Sequence, residues 1–292
     1  MRVSVHISTM DRASELGLLL QSLMNQSFKD FDVVMVDGST TPSINFHFIN
    51  KLVAMLKEEG HKVIYELALV KENCRQRNQC VSIDDTLNPF ICRVDDDCIL
   101  SNNYLESLRN LLLAGFDAAS GTTPTVNCTF FKHSTKLLNV MNDIKFDVEG
   151  NITFLGDDCG FDYLTTGKTL YPAKHLRSSF MYKRSVHDAG VTYKTPGRVA
   201  FREETEFCLR MAWAGYSKFA VDINAKAFHL TCPTGGCRVQ DYDAQVRSGD
   251  ERFRNWAKQK FLEKGNPFPE NFKEVFESKL VRNTFAGVNI IA

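Results

Sequence analysis

No apolar stretch of this 292-residue chain reaches the ~18 residues that a membrane helix requires. Runs such as 33–36 and 111–113 are core-sized, so no membrane span is expected. No C-x-x-C pair occurs either. The nine cysteines stand at positions 74, 80, 92, 98, 128, 159, 208, 232 and 237, an odd and scattered set. That pattern excludes a zinc ribbon or a disulfide framework and favours free thiols in a reducing cytoplasm. The sequons Asn127-Cys128-Thr129 and Asn151-Ile152-Thr153 would then go unused. Charge of one sign is lacking: Lys+Arg and Asp+Glu both number 35, a formal net charge of +0. Nothing in that balance calls for a nucleic-acid partner. The chain opens on a strand pattern rather than a charged-then-apolar leader, and the expectation is no secretory signal. Internal repeats and low-complexity tracts are absent.

Glycine is missing from one telling place. The segment after the first strand, Thr9-Met10-Asp11-Arg12-Ala13-Ser14, has none. A dinucleotide oxidoreductase would need G-x-G-x-x-G there, and a nucleotidyltransferase of related fold would carry a glycine-rich basic loop.

What is present begins with alternation. Strand patterns at 3–8, 32–36, 62–69 and 89–94 are separated by helical patterns at 13–24, 44–59 and 73–83, and a helix at 104–114 follows. Alternating β and α units predict a Rossmann-like, mostly parallel sheet flanked by helices. Ligands on such sheets bind at the carboxyl ends of the strands. Beyond residue 117 the alternation lapses. Strands are expected at 118–122, 151–155, 179–183, 217–221 and 225–230, and helices at 133–146, 203–214 and 243–264. The predicted organisation is a domain over 1–239 in two halves, 1–117 and 118–239. A C-terminal helical extension, 240–292, follows it.

Asp95-Asp96-Asp97 closes the fourth strand. Three adjacent carboxylates repel one another unless something positive offsets them, and Mg²⁺ or Mn²⁺ would do so while bridging a diphosphate. A solvated turn capping the next helix would look alike. The helix beginning at Glu203 carries Glu203, Glu204 and Glu206 in its first turn, where the helix dipole keeps carboxylates ionised and able to accept a proton. Simple charge complementarity at a helix start is the plain alternative. Phe228-His229-Leu230 places a histidine at the end of an apolar strand, a position more often structural than ligating.

In this order these pieces resemble family 2 of the inverting glycosyltransferases, which have the GT-A fold. The resemblance covers roughly residues 3–230. Thr9-Met10-Asp11-Arg12 is similar to the family's T-x-x-R, Val36-Asp37-Gly38-Ser39 to its V-D-x-G-S turn, and Asn73 with Arg77-Asn78 to its N-x(n)-R-N helix. Asp95-Asp96-Asp97 fits the DXD motif, and Glu203-Glu204 through Arg210 resembles its E-D-x-x-x-x-x-R block. The turn lacks one acidic position, and Glu204 stands where the family usually has Asp.

The resemblance implies transfer of a sugar from a nucleoside-diphosphate sugar, a UDP-sugar first, to an acceptor hydroxyl, with inversion and with Mn²⁺ or Mg²⁺. It places Thr9, Asp11, Arg12, Asp37, Arg77, Asp95 and Asp96 around the nucleotide-sugar. Asp97 would bind the metal, with Asp95 and His229 as further ligands. Glu204 would be the general base, with Glu203 its rival. Gly235, Gly236 and Arg238 would belong to a hinged loop over the diphosphate. The acceptor side is expected from about 127 to 198, including Phe154, Asp157, Asp158, Phe161, Tyr163, Tyr171 and Tyr182. A glycan, a lipid-linked sugar, a protein or a modified base remain open as acceptors. A catalytically silent sugar-nucleotide-binding protein, or a nucleotidyltransferase of similar fold, is the alternative reading.

Overall fold

Strands β1 (Val3–Thr9) and β2 (Phe31–Asp37) bury nearly every side chain, as parallel strands covered on both faces do. The pleat divides β2 between two clusters. Val33 and Met35 enter the main core, while Val34 and Val36 pack with Cys80. Helix α1 (Ala13–Met24) covers the first face with fully buried Leu16, Leu19, Leu20 and Leu23, spaced as one helical stripe. Helix α2 (His47–Glu58) and strand β3 (Val63–Leu67) follow. Helix α3 (Asn73–Ile83) then packs on β1 and β2 and contributes Cys80 to the second face. Strand β4 (Phe90–Asp95) completes a parallel set in the order β3-β2-β1-β4. The chain runs from β1 to β2 on one side, and β4 lies on the other. The carboxyl ends of β1 and β4 therefore flank the crevice where such sheets bind ligands, with Ser8 opposite Asp95.

This computed structural model describes residues 1–124, 143–155, 168–177, 179–268 and 289–290. After β4 come β5 (Cys98–Leu100), helix α4 (Tyr104–Leu113), β6 (Ala118–Thr122), β7 (Asp143–Phe146), β8 (Ile152–Leu155), β9 (Lys168–Ala173) and β10 (Phe180–Lys183). Helices α5 (Ser185–Asp188) and α6 (Glu203–Trp213), strand β11 (Phe219–His229), helix α7 (Tyr242–Lys264) and strand β12 (Asn289–Ile290) complete the order. The sheet continues from β4 as β10-β6-β11-β9-β12. Strand β10 runs antiparallel to both β4 and β6, so the second half is mixed where the first is parallel. The architecture is the expected GT-A-type α/β sheet.

Several local expectations are corrected. The helix expected over 133–146 is not helical at its end: Asp143–Phe146 is a strand paired antiparallel with β8. Residues 125–142 lie outside the described residues. Ile144 is buried while Lys145 is exposed, an alternation that suits a hairpin. The strands expected at 217–221 and 225–230 form one strand, Phe219–His229, whose register breaks between Asp222 and Lys226. Asp222 closes that irregularity by accepting the Asn224 backbone N–H at 2.9 Å. The boundary at 239 does not separate two cores, because Phe253 and Ala257 of α7 are fully buried in the main cluster. The expected helical tail also ends as a strand, since Asn289–Ile290 joins β9. No helix among the described residues is long and apolar enough to cross a membrane, and the described cysteines are free.

Candidate active site

A cavity of about 340 Å³ opens at the carboxyl ends of β1 and β4. Thr9, Arg12, Arg77, Asp95, Asp96, Asp97, Glu203, Glu204, His229, Gly236 and Arg238 all line it. Six arginines face five carboxylates there, an excess of cations that suits a diphosphate.

The three aspartates have different sets of partners, with Arg12 shared by Asp96 and Asp97. Asp95 accepts from Arg93 at 2.7 Å and from Arg77 at 3.1 Å. Asp96 is buried and accepts from Thr9 Oγ1 at 2.9 Å, Arg12 Nη1 at 3.0 Å and the Met10 N–H at 3.4 Å. Burial pushes its carboxyl up to about 6, against the pull of Arg12. Asp97 is 2% exposed and sits between Arg12 Nη1 at 3.0 Å and His229 Nε2 at 3.1 Å. Burial works to lower the His229 pKa, but the hydrogen bond and charge of Asp97 outweigh it and leave it raised.

The first turn of α6 separates its glutamates as a 100° step requires. Glu203 is buried and paired with Arg77, with Arg93 Nη1 at 3.6 Å, and its other oxygen accepts the Glu204 N–H at 2.5 Å. Glu204 is a quarter exposed and lines the cavity, and its ion pair with Arg93 is long, at 3.6 Å. Glu206 is turned away, bound by Thr195 at 2.9 Å, Arg210 at 2.6 Å and Arg252 at 3.0 Å, and so ties α6 to α7. Of the three, Glu204 is the one with an oxygen to offer a ligand.

The loop at 231–238 is docked. Gly236 N–H donates to Met10 O at 2.8 Å, Arg12 Nε donates to Thr234 O at 3.1 Å, and Arg198 Nε donates to Gly236 O at 3.1 Å. Gly235 and Gly236 have φ of +69° and +53°, which glycine adopts without strain. Close approach constrains them too. A Cβ at Gly236 would stand 2.7 Å from Arg12 Cζ, and one at Gly235 would stand 2.7 Å from Arg12 Cγ. Gly236→Ala is therefore expected to undock the loop from Arg12 and lower stability by ~1–3 kcal/mol, the scale of left-handed strain. An unchanged unfolding midpoint would refute this packing account.

Two expected nucleotide ligands face elsewhere. Asp37 is 1% exposed and is not among the cavity-lining residues. Its oxygens accept from Ser39 N–H at 2.7 Å, Ser43 N–H at 2.6 Å and Tyr65 Oη at 2.6 Å. Burial raises its pKa, but these bonds outweigh that and hold it low. Asp11, at φ +54°, accepts the Thr40 N–H at 2.7 Å and fixes the same turn. On the acceptor side, Tyr171 and Tyr182 are buried, and Asp157, Asp158, Phe161 and Tyr163 lie outside the described residues. Phe154 stacks beneath Arg202, whose guanidinium is 3.9 Å from the ring.

Sequence reasoning missed Arg93, Arg177, Arg198 and Gln76. The only signal for Arg93 was a charge inside an apolar strand, between Cys92 and Val94. Burial and the charge of Arg202 lower the Arg177 pKa.

The model for Glycosyl transferase family 2 matches residues 4–165. No curated protein matches. Among solved structures, TarS of S. aureus is 16% identical with TM-score 0.54, covering 96% of this chain and 46% of that one. The chain thus spans under half of that TarS chain. TarS 1–349 in complex with UDP-GlcNAc is 15% identical with TM-score 0.55, covering 98% of this chain and 80% of that one. At such identities the likeness speaks for the fold.

Proposed function

Because the chain belongs to glycosyl transferase family 2, we propose that it transfers a glycosyl group from a UDP-sugar to an acceptor hydroxyl, with inversion at the anomeric carbon. One observation carries this reading: a single cavity holds the Asp95–Asp97 cluster, Glu204 and six arginines. TarS, of the same fold, has been solved in complex with UDP-GlcNAc, which supports the choice of a UDP-sugar.

Glu204 takes the proton of the acceptor hydroxyl as that oxygen bonds to the anomeric carbon. The bond from that carbon to the β-phosphate oxygen breaks on the opposite face, and the diphosphate leaves with the electron pair. Arg12 and the rim arginines Arg198 and Arg238 hold positive charge where negative charge gathers. Arg77 and Arg93 hold Asp95 and Glu203 in place, which fixes the helix that presents Glu204.

Asp97 and His229 suit a divalent ion. Their Oδ1 and Nε2 atoms converge at 3.1 Å on the cavity wall, an oxygen and a nitrogen donor of the kind Mn²⁺ accepts. Among the described residues no group of three or more such ligands converges, so the substrate diphosphate and water would complete the shell, as they often do for Mg²⁺. Bound there, the ion would neutralise charge on the leaving diphosphate.

The test is release of UDP from UDP-sugars with candidate acceptors, with GDP- and dTDP-sugars alongside. Chelation with EDTA is expected to stop turnover and Mn²⁺ to restore it. Asp97→Asn is the variant to use, because Asp97 is a buried, paired carboxylate rather than the surface group its sequence position suggests. Full activity in excess EDTA would exclude the metal. No turnover and no binding of any sugar nucleotide would exclude the function.

A further inference from the structure

Gln76 lies on α3 beside Arg77, is 3% exposed and lines the cavity. Its Nε2 has no hydrogen-bond partner. Buried amide donors are almost always matched, so an unmatched one on a cavity wall points to a ligand. The space around it is kept open by Gly38. A Cβ there would stand 2.1 Å from Gln76 Nε2 and 3.3 Å from its Cδ. The φ of Gly38 is not in the left-handed region, so the backbone does not demand glycine at that position. The amide does. The same imagined Cβ would lie 3.6 Å from Met10 Sδ, and Met10 also lines the cavity. Ser8, Met10, Asn73 and Gln76 give one part of the lining that is uncharged, whereas the carboxylates and arginines named above make up the charged part. A flat, neutral ring with polar edges suits that part, and a polarisable thioether beside it suits a ring face.

We infer that Gln76 reads the nucleobase of the donor, with Nε2 donating to the ring carbonyl that uracil carries where cytosine carries an amino group. This rests on the cavity being a nucleotide-sugar site. Of the two uracil carbonyls, one neighbours the ribose-bearing nitrogen and is shared with cytosine. The other lies on the far edge, where a donor buried in the wall meets it. That contact accepts uracil and rejects cytosine, because an amino group facing an amide N–H leaves both donors unmatched.

Calorimetry with UDP and CDP at pH 8, on the wild type, Gln76→Glu and Gln76→Met, tests the assignment. The wild type should prefer UDP by about tenfold or more, the scale of one such bond. Gln76→Glu replaces the donor by an acceptor and should invert the order towards CDP. Gln76→Met keeps the length without the donor and should bring the two affinities within about threefold. Gln76→Met also decides the matter if the glutamate variant fails to fold. A wild type that binds both nucleotides alike, or variants that keep the wild-type ratio, would overturn the assignment and leave the cavity a nucleotide site. A wild type that binds no nucleoside diphosphate would overturn both readings.

Discussion

Glu204→Gln is expected to bind UDP and Mn²⁺ as the wild type does and to slow glycosyl transfer by ~10²–10⁴-fold, the usual share of a general base. The amide keeps the shape of the carboxylate but cannot accept the acceptor's proton. Fold and donor binding should survive, because Glu204 is a quarter exposed and its ion pair with Arg93 is long, at 3.6 Å. Glu203→Gln separates the two candidates. Glu203 is buried against Arg77 and Arg93 and also accepts the Glu204 N–H, so its loss should show in stability and in the placement of the helix. Single-turnover rates with saturating donor measure the chemical step apart from binding. A Glu204→Gln enzyme that turns over normally beside a dead Glu203→Gln enzyme would move the base by one residue.

The parts of the site legible in the sequence are those set by local signals. A β-branched run ending in Asp95-Asp96-Asp97 announces a strand end, and three acids before an apolar helical pattern announce the start of α6. That the first half is a parallel sheet covered by helices follows from simple alternation. What was not legible depends on pairs far apart in the chain. Arg12 reads as a ligand of the nucleotide-sugar, but nothing local tells that it is clamped between Asp96 and Asp97, 84 and 85 positions away, and covered by Gly236. The resemblance makes Asp37, in the Asp37-Gly38-Ser39 turn, a ligand of the nucleotide-sugar. The same aspartate satisfies that turn's own N–H groups, and both uses give one sequence pattern. The chain between 118 and 230 misled the reading where four-residue strands are too short for their period to exclude helix. Glycine was ambiguous too: Gly235 and Gly236 read as hinges, but they are contact positions against Arg12.

Arg93→Met is expected to lower unfolding stability by ~3–5 kcal/mol, the range for breaking a buried ion pair by removing one partner. Arg93 is 3% exposed in a strand whose neighbours Cys92 and Val94 are core residues. Its guanidinium lies over the Phe180 ring at 5.2 Å, donates to Asp95 at 2.7 Å, and has Glu203 and Glu204 each at 3.6 Å. Burial acts against the charged form, yet Asp95, Tyr193 and Glu204 outweigh it and raise the pKa. Methionine fills much of the same volume, so the loss is electrostatic rather than a cavity. It removes one of the two guanidinium groups that pair with Asp95 and Glu203, the other being Arg77. At about 2–4 °C per kcal/mol for a domain of this size, the midpoint should fall by roughly 6–20 °C. Arg93→Lys should fall less, because it keeps the charge but loses the planar fork. Adding Glu203→Gln to Arg93→Met removes one of the stranded carboxylates and should recover part of the loss, a coupling that a purely steric defect would not show. An Arg93→Met protein within about 1 kcal/mol of wild type in urea unfolding would mean that Asp95 and Glu203 do not depend on Arg93.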